Sequence, residues 1–278
     1  MVNRMTQNKN VLTVGFLAIG NELLDGIVLE TNCHWMSTKL VALGCAIRRL
    51  VSVRDEINEI SKALEFVRET CNIVITSGGL GPTHDDMTLK AIAKALGREL
   101  VEDKDAIEII KRQYKILHEK EIVAAPNLTD ARRKMAQLPE GAIPLDNQVG
   151  GAPGVRIHDS DTTIFCLPGV PAELNFIFDD SVLPWVKENV VQKFFEKLVV
   201  FELKDESVFA PAIDVVMKQI PSVYIKSLPK PYGTSRGIRV WVSSRGDDEA
   251  KVKKDVDSAI TKLEEVTGIT SKPVENRC

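Results

Sequence analysis

The sequence predicts an α/β protein, a mostly parallel sheet wound with helices on both faces into three layers, followed by a small α+β unit. Three observations lead there. Over the first 190 residues short apolar runs alternate with segments of helical period, the pattern of βα units in a parallel sheet. One such run, Ile73-Val74-Ile75, leads into a loop with glycines at 78, 79 and 81 and then into a helix-forming segment. Beyond residue 190 the order becomes strand, helix, strand, strand, helix. The predicted domains are residues 1–190 and 191–278.

Residues 11–19 are nearly all apolar, as a central strand buried on both faces would be. Thr31-Asn32 offers a cap for a helix that runs to about residue 43 and stops at Gly44. Its apolar positions Trp35, Met36, Leu40 and Leu43 share one face. Residues 46–53 form the second strand, and Ile57, Ile60, Leu64 and Val67 mark the next helix. After the third strand and the glycine-rich loop come a helix over 89–96 and helical sequence to about 117 and over 129–135. A second Gly/Pro-rich loop spans 147–154, and residues 155–157 and 162–167 flank Asp159-Ser160-Asp161 as a hairpin. Pro168-Gly169-Val170-Pro171-Ala172-Glu173 turns into a helix with Pro171 near its first position, and Pro184 lies in the helical region beyond. In the second unit, strands are predicted at 197–203, 222–227 and 237–243, with helices at 206–219 and 247–266.

The chain of 278 residues is 44% apolar and 27% charged, a globular, soluble composition. Its net charge of −3 argues against a nucleic-acid binder working by bulk attraction. The first 190 residues carry 21 Lys/Arg against 26 Asp/Glu, and the remainder 15 against 13. Cysteines at 33, 45, 71, 166 and 278 form no C-x-x-C pair, so zinc is not expected; they read as core thiols in a reducing cytoplasm. Residues 11–19 are too short and strand-like for a signal peptide, and no run is long enough to span a bilayer.

The chemistry concentrates in residues 77–88. Ser77, Gly78, Gly79, Gly81 and Thr83 build a loop that brings backbone N–H groups to an anion, at the start of a helix whose own N–H groups point the same way. Asp85 and Asp86 add two carboxylates, which suit a divalent cation beside a phosphate. A parallel sheet gathers three post-strand loops at one edge: Gly20-Asn21-Glu22, Arg54-Asp55-Glu56 and 77–86. Glu22, Asp55, Asp85 and Asp86 are therefore expected to converge. No Lys or Arg stands in the glycine-rich loop, so a metal is expected to neutralise the ligand. Each residue has a structural alternative. Glu22, Asp55, Asp85 and Glu173 are also candidate helix caps, His84 a solvated side chain, Asn127 an Asx-turn anchor and Gly151 a backbone-shape residue.

Gly20-Asn21-Glu22-Leu23-Leu24-Asp25-Gly26 with Thr31-Asn32, and Gly78-Gly79-Leu80-Gly81-Pro82-Thr83-His84-Asp85-Asp86-Met87-Thr88, resemble the G-D-E-L-L-x-G…T-N and G-G-L-G-P-T-x-D-D-x-T motifs of CinA-type proteins. Asn127, Ala152-Pro153-Gly154 and Leu167-Pro168-Gly169-Val170-Pro171-Ala172-Glu173 resemble the rest of that pattern in order. Asn21 stands where the family usually has Asp. The resemblance implies a three-layer, molybdopterin-binding-like domain of the MoaB/Mog type and a small KH-type domain. It implies a pterin or nucleotide phosphate as ligand, held by Gly20, Asn21, Ser77, Gly78, Gly79, Gly81, Thr83, Asn127, Gly151, Pro153, Gly154, Pro168 and Gly169. It also implies metal-dependent pyrophosphatase chemistry on ADP-ribose or a related dinucleotide, with Asp55, Asp86 and Glu22 catalytic and a divalent metal at Asp85 and Asp86. The alternative is a molybdopterin-binding or adenylylating protein, or a non-catalytic binding dimer. The chain ends where bacterial members continue into a nicotinamide-mononucleotide deamidase domain, so deamidation is not expected. A cytoplasmic homo-oligomer, dimer or trimer, is expected. The KH-type unit has no G-x-x-G loop between helices; Gly233-Thr234-Ser235-Arg236-Gly237 precedes a strand, so RNA binding is not expected.

Overall fold

The computed structural model describes residues 11–203, 205–228 and 237–274. The chain forms two compact units, the larger built on Val11–Val41 and Cys45–Val190, the smaller on the chain from Val191 onward.

In the larger unit, β1 (Thr13–Ile19) is followed by the one-turn α1 (Asn21–Leu24), α2 (Asn32–Ala42), β2 (Ala46–Val53), α3 (Ile57–Arg68), β3 (Ile73–Ser77) and α4 (Thr88–Leu96). Next come β4 (Leu100–Glu102), α5 (Lys104–Glu119), α6 (Asp130–Lys134), β5 (Gln137–Pro139), β6 (Ile143–Leu145), β7 (Gly154–Asp159) and β8 (Thr162–Leu167). α7 (Pro171–Ile177) passes through a π-helical turn at Phe178–Val182 into α8 (Leu183–Asn189). The main sheet has the order β2-β1-β3-β8-β7-β6. β2, β1, β3 and β8 are mutually parallel, while β7 runs antiparallel to β8 and β6 to β7.

Every residue of β1 is buried, as a strand covered on both faces requires. Leu17 and Ile19 join Ile60, Leu64, Val67 and Ile92 of α3 and α4 in one core. On α2 and the α7–α8 segment, Trp35 meets Phe178 edge-on with ring centroids 5.3 Å apart, and Trp185 meets Phe165 of β8 at 5.5 Å. Among the described residues, Cys33, Cys45, Cys71 and Cys166 are buried; burial pushes the Cys166 thiol up to about 12, so it stays protonated.

The structure corrects several boundaries. The helical sequence expected to about residue 117 is broken by β4, which pairs with β5 as a separate ribbon. Three-residue strands such as β4, β5 and β6 carry too few positions to reveal a period of two. The π-helical turn precedes Pro184, which has no N–H and whose ring crowds the carbonyl four residues back, so the helix widens there. No described helix is long and apolar enough to cross a membrane.

The smaller unit contains β9 (Lys193–Phe201), α9 (Glu206–Gln219), β10 (Val223–Leu228), β11 (Ile238–Gly246), α10 (Glu249–Thr267) and β12 (Lys272–Pro273). Its sheet is antiparallel, in the order β10-β11-β9-β12. β9 starts four residues earlier than expected, and α10 is capped by Asp248, whose carboxylate accepts the Ala250 N–H at 2.9 Å. Phe201 and Phe209 are core, with centroids 4.8 Å apart. Phe194 and Phe195 are half-buried and lie beneath cationic side chains, Phe194 beneath Arg245. Residues 233–236 lie outside the described residues.

The Asp159 carboxylate, at the β7–β8 turn, pairs with Arg68 of α3 and with Arg98, the latter at 3.1 Å. Burial pushes Asp159 up, but the hydrogen bonds from Arg68 and Arg98 outweigh it and hold the group below its ordinary value of 3.8. A depressed carboxylate stabilises the fold above its unfolded value and loses that contribution as pH falls through its folded value. Asp159→Asn is therefore expected to lower the melting temperature at neutral pH and to converge with the wild type in acid; equal melting at pH 7 would contradict this.

Candidate functional site

Because β2, β1, β3 and β8 are parallel, their carboxyl ends meet at one edge: Ile19 lies opposite Val53, Ala18 opposite Ser77, and Ser77 opposite Leu167. The chain crosses from β2 over β1 to β3, and such a switch of direction leaves a crevice where ligands bind. A cavity of about 440 Å³ opens there, of a size for a small phosphorylated molecule. Gly20, Glu22, Asp55, Gly78, Gly79, Gly81, Thr83, Asp85, Asp86, Gly151, Pro168 and Gly169 all line it.

The glycine-rich loop has little freedom. Gly78 has φ +107°, and a Cβ there would stand 2.2 Å from the Ile19 carbonyl oxygen. Gly79 has φ +69°, and its Cβ would meet Thr88 Oγ1 at 2.2 Å. The Gly78 N–H donates to the Leu167 carbonyl at 3.0 Å, so it is committed to the fold, not to a ligand. The Gly79 and Gly81 N–H groups have no protein partner among the described residues. Thr88, wholly buried, donates its hydroxyl to the Gly78 carbonyl at 2.9 Å and its N–H to the Gly79 carbonyl at 3.2 Å. Thr88→Val removes the hydroxyl bond and leaves a buried carbonyl unsatisfied, which costs about 1–3 kcal/mol; a melting curve superimposable on the wild type would refute that role.

Asn32 serves this loop and is not the cap expected from sequence. Its amide donates to Ser77 Oγ and to the Gly169 carbonyl, both at 2.9 Å. The start of α2 is served by Glu30, whose carboxylate accepts the Cys33 N–H at 2.8 Å.

Asp55 and Asp86 face the same cavity. Asp55 Oδ2 accepts the Asn21 N–H at 2.8 Å, so Asp55 holds the start of α1 and does not cap α3. Burial raises the Asp55 carboxyl above its ordinary value; the Asn21 bond opposes this, and the charges of Glu22, Asp85 and Asp86 add to it. Asp86 Oδ2 accepts the Thr83 N–H at 2.9 Å, and the Thr83 hydroxyl reaches both Asp85 and Asp86. α4 has no side-chain cap, which corrects the reading of Asp85 as one. The Thr83 hydrogen bond holds Asp85 below its ordinary value. The Glu22 carboxylate folds back over Gly20, where a Cβ would meet Oε1 at 2.4 Å. His84 is exposed.

A cation does reach this loop, contrary to expectation. Lys134, the last residue of α6, donates from Nζ to the Thr83 carbonyl. Burial lowers its proton affinity, while Asp86 and Asp85 raise it; the net effect is a lowered value.

Residues 15–188 match the family described as "Probable molybdopterin binding domain". The chain belongs to that family. A protein of Pyrococcus furiosus is 41% identical over 242 residues, covering 87% of this chain and 93% of its own length. One of Thermococcus kodakarensis is 37% identical over 238 residues, covering 85% and 93%. The crystal structure of the protein CinA, of unknown function, from Thermoplasma acidophilum is similar with a TM-score of 0.56 and 36% identity, over 62% of this chain and 96% of that one.

The cavity extends past the glycine-rich loop to a part where Tyr114 and Met135 were not foreseen from the sequence. Tyr114 of α5, Met135, Ala152 and Glu173 line it. The Arg132 guanidinium lies 3.7 Å from the Tyr114 ring centroid, and a Cβ on Gly151 would meet that ring at 2.8 Å. Glu173 is not a cap: its Oε2 accepts the Asn147 amide at 2.7 Å. Burial raises Glu173, against the Asn147 bond. Asn147 is itself wholly buried and fully bonded, donating also to Ala152 O and accepting from the Val149 and Gly150 N–H groups.

Five expected ligand residues lie outside the cavity lining. Asn21 is the first residue of α1 and accepts from Arg54. Ser77 is spent on Asn32. Asn127 is exposed, its carbonyl accepting from Arg132 at 2.6 Å. Pro153 is buried before β7, and Gly154 opens β7, where a Cβ would meet Ile177 at 2.8 Å.

Proposed function

We propose that this cavity binds the phosphate-bearing part of a pterin or nucleotide, with molybdopterin as the ligand that the family description favours. The observation that carries the reading is the meeting of a glycine-built loop with carboxylates from three separate post-strand loops at one sheet edge. The free N–H groups of Gly79 and Gly81 would donate to phosphate oxygens. The purified chain is expected to bind molybdopterin saturably, and Gly79→Ala, which forces a Cβ onto Thr88, to weaken binding at least about tenfold through the distorted loop. No saturable binding by the wild type would end this reading.

A second reading, hydrolysis of a phosphoanhydride such as that of ADP-ribose, is favoured by one observation: Glu22, Asp85 and Asp86 all act electrostatically on Asp55. Carboxylates gathered around a phosphate site suit a divalent metal that neutralises the anion and activates water. Among the described residues no group of three or more His, Cys, Asp or Glu side chains is arranged as a metal site. Asp85 and Asp86 would therefore hold the ion jointly with ligand phosphate, a mode that suits Mg²⁺. Turnover of ADP-ribose across a panel of divalent metals tests this. For the smaller unit, the order β9-α9-β10-β11-α10 supports a KH-type domain.

A further inference from the structure

We infer that Lys134 is the protein's own phosphate-binding cation in this cavity, delivered by α6 across the tip of the glycine-rich loop. The inference rests on the proposed ligand class and deepens it, because it names the residue that offsets the anion's charge.

Four features of the fold carry it. First, the Lys134 ammonium donates to the carbonyl of Thr83, a residue that lines the cavity, and Met135, next in the chain, lines it too. Second, an ammonium has three donors, and among the described residues Lys134 uses one, with no carboxylate in ion-pair range. The remaining two are available to oxygens of a bound anion. Third, the cavity carries Glu22, Asp55, Asp85 and Asp86, a surplus of negative charge that by itself would repel phosphate. Among the described lining residues none is Lys or Arg; two cations reach lining residues, Lys134 at the Thr83 carbonyl and Arg132 over the Tyr114 ring, and of these Lys134 is the one bonded to the glycine-rich loop. Fourth, Asp85 and Asp86 act on Lys134 electrostatically, and the loop that Lys134 bonds at Thr83 also carries Gly81, whose N–H has no protein partner among the described residues. A half-buried ammonium bonded to a loop that carries unpaired backbone donors can recognise phosphate oxygens as a point charge plus directional bonds.

Two roles for Lys134 are separable. If it only ties down the loop, a neutral donor to the Thr83 carbonyl suffices. If it binds phosphate, charge is required. Calorimetric titration of the full chain with inorganic pyrophosphate, in EDTA and separately in Mg²⁺, distinguishes them. Lys134→Gln is expected to weaken pyrophosphate at least about tenfold, the range for losing one charge-assisted bond, while Lys134→Arg stays within a few-fold of wild type. Pyrophosphate is also expected to protect Lys134 of the wild-type chain from acetylation, read by mass spectrometry, which needs no variant to fold. Wild-type affinity in Lys134→Gln, or unprotected Lys134 in a saturated complex, would overturn the inference and leave the ligand reading standing. No pyrophosphate binding by the wild type in either buffer would remove both.

Discussion

A chain carrying Gly78→Val is expected to melt about 10 °C below the wild type and to lose its ligand site, since a loss near 3 kcal/mol moves a domain of this size by that much. The reason is local. Gly78 combines φ +107° with a Cβ position 2.2 Å from the Ile19 carbonyl oxygen. That oxygen belongs to the end of β1, and the Gly78 N–H is bonded to the end of β8. A β-branched side chain cannot adopt this conformation without strain. Relief would require moving the ends of two buried strands apart. Thermal melting of the purified variant checks this, and a change under 2 °C, outside the roughly 10 °C that the clash demands, would show that the crossing is softer than its geometry implies.

Asp86→Ala is expected to reduce ADP-ribose turnover at least about 100-fold, if the chain hydrolyses it, without lowering the melting temperature. Asp86 spends its hydrogen bonds on Thr83 within a surface loop, so the fold does not depend on it. Asp55→Asn sharpens the contrast. The raised folded-state value of Asp55 means that its charge opposes folding at neutral pH, and that the penalty disappears as pH falls through that value. Asparagine keeps an oxygen to accept the Asn21 N–H. The variant is thus expected to gain thermal stability at pH 7, to match the wild type in acid and to lose function, as happens where a site is held against its own repulsion. A drop in melting temperature at pH 7 would contradict the picture of a carboxylate strained first by burial and then by neighbouring like charges.

What the sequence made legible follows from the parallel sheet. Alternating apolar runs and helical periods located β1, β2 and β3, and the hairpin signal around Asp159-Ser160-Asp161 located β8. The rule that ligands sit at strand carboxyl ends then brought Glu22, Asp55, Asp85 and Asp86 to a single cavity. The misses share a different origin. Lys134 sits in an Arg-Arg-Lys run on a five-residue helix, which reads as a solvated face, and only the tertiary path carries its ammonium to Thr83. Glu173 has the position of a cap, and its bond to Asn147 spans 26 residues. Tyr114 lies on α5, outside the strand-to-helix loops that the sheet rule addresses. Asp55 was legible as a residue at the sheet edge but not as the holder of α1, because that bond crosses from one post-strand loop to another. Asn32 likewise has the composition of a cap, and its partners Ser77 and Gly169 are 45 and 137 residues away.

On the proposed reading, the loop from Gly78 to Asp86 is the seat of a phosphate-bearing ligand. Backbone amide shifts of the ¹⁵N-labelled chain, followed while molybdopterin and separately ADP-ribose are titrated in, test it most directly. Saturable shifts concentrated at Gly79, Gly81, Thr83 and Asp86 are expected, with Gly169 and Gly151 following. Saturable binding whose shifts fall elsewhere and leave Gly79 and Gly81 unmoved would contradict it.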